Sequence, residues 1–141
     1  MADVAYNRGL DEFAAWTTST YKFLLLKGSG YTVNKDHDFV SDVTPGSNET
    51  ALSGYSRQTA GSKTRTIDDS NDRITYDCAD PAFGSIAAGD TISAMVLFRF
   101  VTNDADSILM GYYDIADTAT NGTAFTVTIN ANGVAYIDQG A

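Results

Sequence analysis

The sequence predicts a mainly β fold: a β-sandwich or barrel-like domain of about eight short strands, with a short N-terminal helix and an extended arm. Three observations carry this. Runs rich in aromatic and β-branched residues alternate with a period of two. Clusters of Gly, Asn, Asp and Pro punctuate them at short intervals. Helical periodicity is confined to the first 16 residues. With 141 residues, no internal repeat and no linker, the chain reads as one domain over residues 1–141. A chain of this size buries roughly two-thirds of its unfolded surface and needs no disulfide or metal to fold.

Over residues 1–16 a helix is expected, because Tyr6, Leu10 and Phe13 recur at spacings of four and three with Ala14 beside them. Asp3 is its candidate N-cap, and Thr17-Thr18-Ser19-Thr20 breaks the pattern after Trp16. So short a helix is marginal alone and must dock, on its own domain or on a neighbouring chain. Tyr21–Lys27 is the first strand; Leu24 and Leu26 face one side, Tyr21, Phe23 and Leu25 the other. Apolar groups on both faces predict a central or sandwiched position, and Gly28-Ser29-Gly30 ends the strand.

Residues 31–53 are polar and irregular, with a turn signal at Pro45-Gly46-Ser47-Asn48. A segment this long in a small domain is more often functional than idle, so it is expected to be an extended arm reaching a partner. Strands follow at 55–59 and 63–67, joined by Ala60-Gly61-Ser62, and at 73–78. The strongest strand spans 91–101, with Ile92, Ala94, Val96, Phe98 and Phe100 on one face and Met95, Leu97 and Val101 on the other. Strands at 107–115 and 123–129 complete the set, and Asn130-Ala131-Asn132-Gly133 predicts a hairpin from the latter to 134–137.

The residue inventory argues against an enzyme. His37 is the only histidine and lies between Asp36 and Asp38. Neighbours on an extended segment point opposite ways, so neither carboxylate is placed to orient the ring, and a solvated loop histidine is expected. Cys78, the only cysteine, excludes an intrachain disulfide and fits a reducing cytoplasm. With Asp77 and Asp80 beside it, it lacks the cationic setting of a reactive thiol. Zinc is implausible with one His and one Cys. The loops 68–72 and 103–107 carry alternating Asp and Asn oxygens but lack the Gly and distant Glu of a calcium loop, and turns favour these residues anyway. No phosphate-binding or dinucleotide motif is present, and no pair among the 18 acidic residues stands out. No catalytic, cofactor or metal residue is therefore assigned.

Acidic residues outnumber basic ones 18 to 9, a net charge of −9, which disfavours a nucleic-acid partner. No apolar run approaches bilayer length, and residues 1–13 lack the pattern of a signal peptide, so no membrane partner is expected. The tyrosines fall in or beside strands, and with Trp16 the only tryptophan they read as core or interface rather than a sugar platform.

Several short segments recur in a characteristic order: Tyr6-Asn7; Tyr21-Lys22-Phe23-Leu24-Leu25-Leu26; Tyr31-Thr32; Asp36-His37-Asp38-Phe39; Ser41-Asp42-Val43; Glu49; Leu52-Ser53-Gly54-Tyr55; and Ala135-Tyr136-Ile137-Asp138-Gln139-Gly140. In this order they resemble a family of small structural proteins of tailed phages and prophages. The likeness spans most of the chain, is densest over 21–55, and departs over 106–121, which is longer. It implies a virion component made in the bacterial host cytoplasm: a capsid decoration protein on the outer head surface, bound to the major capsid protein and to copies of itself, with a trimer favoured. Two other readings stay open, a minor tail, tail-tip or baseplate protein, and a carbohydrate-binding module. Under the decoration reading the partner contacts are expected at Tyr6, Leu10, Phe13 and Trp16 of the N-terminal segment. Tyr31, Phe39 and Val43 are expected to serve the same role on the arm.

Overall fold

The computed structural model describes residues 3–28 and 30–138. Residues 1–2 of the expected helix, Ser29 of the glycine turn and Gln139-Gly140 of the last motif lie outside them. The described chain is mainly β. Its ten strands are β1 (Val4–Ala5), β2 (Tyr21–Lys27), β3 (Gln58–Thr59), β4 (Thr64–Asp68), β5 (Arg73–Asp77), β6 (Ala82–Ser85), β7 (Thr91–Arg99), β8 (Ile108–Ala119), β9 (Ala124–Thr126) and β10 (Ala135–Asp138). They form a five-stranded sheet of order β1-β8-β7-β2-β3, a three-stranded sheet β10-β5-β4 and a pair β6-β9. Two one-turn helices, α1 (Gly9–Glu12) and α2 (Val40–Val43), lie outside the sheets.

The five-stranded sheet is apolar on both faces, as the patterns of β2 and β7 predict. Tyr21, Phe23, Leu25, Met95 and Leu97 join one buried cluster with Tyr76 of β5, Phe83 of β6, Val127 and Val134. The two small sheets thus cover this face in a sandwich-like arrangement. Leu24, Leu26, Ala94, Val96 and Phe98 join a second cluster with Tyr6, Val40 and Val43. A loop segment, not a sheet, covers that face. One reading changes: Ile92 belongs with Met95 and Leu97 rather than with Ala94. Against β2 the pairing runs from Leu26–Ala94 to Lys27–Ile92, so Ser93 is an extra residue of β7, and this bulge inverts its alternation.

The N-terminal segment departs from the expected helix. Val4 and Ala5 pair with Tyr112 and Gly111 at the edge of β8. Helix appears only over Gly9–Glu12, continued by a 3-10 turn over Phe13–Ala15. Asp3 is not a cap; its carboxylate accepts the Asp114 N–H at 2.8 Å. Gly9 allows the segment to lie flat on β8, since a Cβ there would stand 2.2 Å from the Leu109 carbonyl oxygen. Beyond it, Phe13 and Trp16 enter the first cluster. Phe13 packs 5.0 Å from the Tyr76 ring and Trp16 4.7 Å from the Tyr21 ring, with the indole N–H donating to the Asp77 carbonyl at 3.1 Å.

The arm over 31–53 does not extend into solvent. Asp42 accepts the N–H groups of Asp38 and Phe39 at 3.0 and 2.9 Å, starting α2. The first amides of α2 donate to Ser107 and Asp104 carbonyls, each at 3.0 Å. Val40 and Val43 are wholly buried against the sheet, and Glu49 bridges to Leu26 at the edge of β2. The segment has to cover a hydrophobic face, which explains why it stays on its own domain.

One strand pairing also differs from expectation: β9 and β10 do not form a hairpin; β9 joins β6 and β10 joins β5. The strands at 55–59 and 63–67 go to different sheets, β3 joining β2 and β4 joining β5. The Asn-Gly turn is present, with Gly133 at φ 82° and its N–H donating to Asn130. It hands the chain from one sheet to another, because the next amide, of Val134, donates to Tyr76 at 2.9 Å.

Because Trp16 is fully buried, Trp16→Ala is expected to cost about 3–5 kcal/mol. Urea unfolding should show the loss as a lower midpoint. Removal of residues 1–16 should destabilise the whole domain rather than release a detachable segment, which circular dichroism melting will distinguish.

Candidate interaction surface

Seven residues were expected to face a partner, and the fold uses six of them internally. Tyr6 and Trp16 are fully buried, and Phe13 and Val43 are core residues. Tyr31 and Phe39 are half-buried. The Tyr31 hydroxyl lies 3.1 Å from that of Tyr6 and 2.9 Å from His37 Nδ1. His37 is therefore not the solvated loop residue expected; it is half-buried and anchors the arm to the N-terminal segment. Asp36 and Asp38 turn away from its ring, accepting from Asn7 at 2.8 Å and pairing with Arg8 at 3.6 Å. The Arg8 guanidinium also sits 4.8 Å over the Phe39 ring. Leu10 alone of the seven is exposed, at 55%.

Leu10 borders a cleft of about 1100 Å³ between the β1–β8 edge and the stretch from Val127 to Ile137. Its other large exposed apolar residues are Tyr136 and Ile137, and core side chains of Phe13, Met95 and Met110 reach its wall. Sequence alternation missed these because β10 presents Tyr136 and Ile137 on opposite faces of an edge strand. The register holds a further signal. Ile67, Ile74 and Ile137 stand opposite one another across β4, β5 and β10. By parity they share the face that Tyr76 turns into the core, yet Ile67 and Ile137 remain exposed. This end of the small sheet overhangs the core.

Three strand margins converge here. Among the described residues β8 pairs with β7 along one side and, on the other, with Val4–Ala5 and, at its start, Phe39, while its Asp114 N–H donates to the Asp3 carboxylate. Among the described residues no strand pairs with its outer margin over 115–119. Among the described residues β9 pairs with β6 alone and β10 with β5 alone. A second cleft of about 360 Å³ separates Ile115, Ala116 and Thr118 from β9 and shares Ile115, Val127 and Thr128 with the first. The two make one continuous slot. Its lining holds the carboxylates of Asp3 and Asp114 and no lysine or arginine.

Charge is organised differently on the far side. Arg57 donates to both oxygens of Glu49, at 2.8 and 2.7 Å, and to both of Asp104, at 2.6 and 2.9 Å. Tyr55 donates to the same Glu49 at 2.7 Å and accepts the Leu25 N–H at 3.1 Å. These bonds tie the end of the arm, the chain before β3 and the β7–β8 loop into one node. Hydrogen bonding from Arg57 holds the Asp104 carboxyl below its ordinary range. That role occupies one of the two candidate calcium loops; in the other, Asp68 accepts the Ser70 and Asn71 amides of its own turn, each at 3.2 Å. Among the described residues no group of three or more acidic, His or Cys side chains is placed to hold a metal. Burial, then Asp77 and Asp80, push the Cys78 thiol up to about 12.

No family model, curated protein or solved structure matches this chain.

Two outcomes follow from these charges. Because the folded Asp104 pKa is depressed, its contribution is present above the unfolded value of about 3.9 and lost as pH falls through the folded one. Asp104→Asn should lower stability at neutral pH and flatten the acid limb, seen by fluorescence-monitored unfolding from neutral pH to below about pH 4. Cys78 should resist a disulfide thiol reagent in the native protein at pH 8 and react fully once urea unfolds it.

Proposed function

We propose that this chain is a structural protein of a tailed-phage virion, most favourably a capsid decoration protein that binds the outer head surface and staples neighbouring major capsid subunits. The observation that carries the adhesive part of this reading is the apolar slot: Leu10, Tyr136 and Ile137 stand exposed around a cleft bordered by three strand margins that, among the described residues, no strand pairs with. Contiguous exposed apolar surface of this kind marks interaction sites, and unpaired strand margins are otherwise a liability that monomeric proteins blunt. The placement in a virion is supported by the ordered motifs from Tyr6 to Gly140 and by their resemblance to small phage structural proteins. The high negative charge suits a chain that remains dispersed at high concentration until its lattice is assembled.

Adhesion then depends on apolar burial at the slot, offset by the cost of ordering the partner segments. The N-terminal segment and the arm serve the reading indirectly, by holding the domain together rather than by touching the capsid.

Cryo-electron microscopy of intact particles, with copies counted, tests the placement. Hundreds of copies on the head lattice are expected, with the Leu10–Ile137 face toward the capsid. A few copies at the tail or neck would replace decoration with a tail role, and absence from the particle would overturn the virion reading.

A further inference from the structure

We infer that Asn132 is a site of spontaneous covalent modification, its side-chain amide attacked by the backbone nitrogen of Gly133 with help from the Arg73 guanidinium, in preference to the other Asn-Gly pair of the chain at Asn121. The inference concerns a reaction of the chain alone and does not rest on the virion placement.

Water is the one co-reactant. The Gly133 nitrogen gives up its proton to hydroxide and bonds to Cγ of Asn132. The tetrahedral centre then collapses, the side-chain nitrogen leaves as ammonia, and a five-membered succinimide remains. Water opens this ring at either of its two carbonyls, giving aspartate or, where the chain runs through the former side chain, isoaspartate. Nothing is oxidised or reduced. Glycine after the asparagine leaves the attacking nitrogen uncrowded, and the sequence holds two such pairs, Asn121-Gly122 and Asn132-Gly133. Both asparagines are exposed, and both glycines have positive φ, 83° and 82°.

The surroundings separate the two. Asn121 Oδ1 accepts the Thr123 N–H at 3.1 Å and the Thr123 hydroxyl at 2.5 Å, both neutral donors. The Gly122 N–H donates at 2.8 Å to the carbonyl of Ile86, a core residue. Freeing that amide for attack pulls the turn away from the core. Asn132 Oδ1 instead accepts Nη2 of Arg73 at 3.2 Å, and Arg73 is itself steadied by Asp68 at 3.5 Å and the Tyr136 ring at 5.1 Å. A cationic donor on this oxygen draws electrons from Cγ and stabilises the oxyanion that attack creates. The Gly133 N–H donates to Asn130, within its own turn, at 2.8 Å. That bond opens locally, with the sheets in place.

The product alters the slot, since Asn132 and Gly133 line it. Aspartate sets a carboxylate against Arg73. Isoaspartate adds a main-chain atom just before Val134, whose amide donates to Tyr76 where the β10–β5 pairing begins.

The test is peptide mapping by mass spectrometry of the full chain, aged at mildly alkaline pH with and without urea. In urea the two asparagines should convert at similar rates. In the native protein Asn132 should convert roughly tenfold faster than Asn121, less than a fully buried oxyanion donor supplies. Arg73→Gln should abolish this excess, and Arg73→Lys, which keeps a cation, should retain part of it. The ratio of the two sites is the readout, so general loosening of the fold moves both and is recognised at Asn121. Equal native rates, faster conversion at Asn121, an excess that survives Arg73→Gln, or its complete loss in both variants would each overturn the inference.

Discussion

Everything in this fold answers to a sheet that is greasy on both sides. β2 and β7 carry apolar residues at nearly every position, so each face of the sheet they centre must be kept from water. Each large side chain buried there contributes roughly 1.5–3 kcal/mol. The two faces are met by different means. Two small sheets, led by Tyr76 and Phe83, cover one. Tyr6, Val40 and Val43, from segments with almost no regular structure, cover the other. The irregular segments are ordered because the sheet requires a lid, and the Tyr6–Tyr31–His37 chain and the Arg57 node pin that lid at its two ends.

This constraint explains which parts of the architecture were legible. Strands that bury alternating or continuous apolar runs, β2, β5, β7 and β8, announce themselves, and the two-faced burial of β2 follows directly from Leu24 and Leu26 set against Tyr21, Phe23 and Leu25. Partner choice was not legible. The Asn-Gly turn before β10 has the chemistry of a hairpin, and its backbone adopts the required positive φ. What decides the pairing is a long-range contact, the Val134 amide with Tyr76, which no local signal encodes. The bulge beside Ile92 is similar: sequence parity gives the wrong face because Ser93 is an extra residue of β7 opposite β2, which only the pairing reveals.

Which apolar residues stay on the surface was harder still to read. Tyr6, Phe13, Trp16 and Val43 have the composition of interface anchors, but an aromatic on a short or irregular segment is equally suited to closing its own core. Sequence alone does not separate these fates. Arg57 illustrates the same difficulty for charge, since its partners Glu49 and Asp104 are 8 and 47 positions away. Leu10 alone of the seven stays exposed. It shares a stripe with Phe13 by spacing, yet α1 is so short that its outer side turns away from β8. Tyr136 and Ile137 carried a readable cue: adjacent apolar residues in a terminal strand, one of which has no core to enter.

The node at Arg57 also gives the lid a separate energetic identity. The segment from Tyr31 to Thr50 rests on one face of the sheet, whereas β5, β6 and Trp16 pack on the other. Its attachment depends on a charged clamp, two tyrosine hydroxyls and a few buried valines, while the opposite face depends on a continuous aromatic cluster. A domain fastened so unequally has two grades of opening. Lifting of the lid as a unit would bare Leu24, Val96 and Phe98, which it covers. The aromatic face would stay closed in such an opening, and the Arg57 clamp is one of several attachments that oppose it.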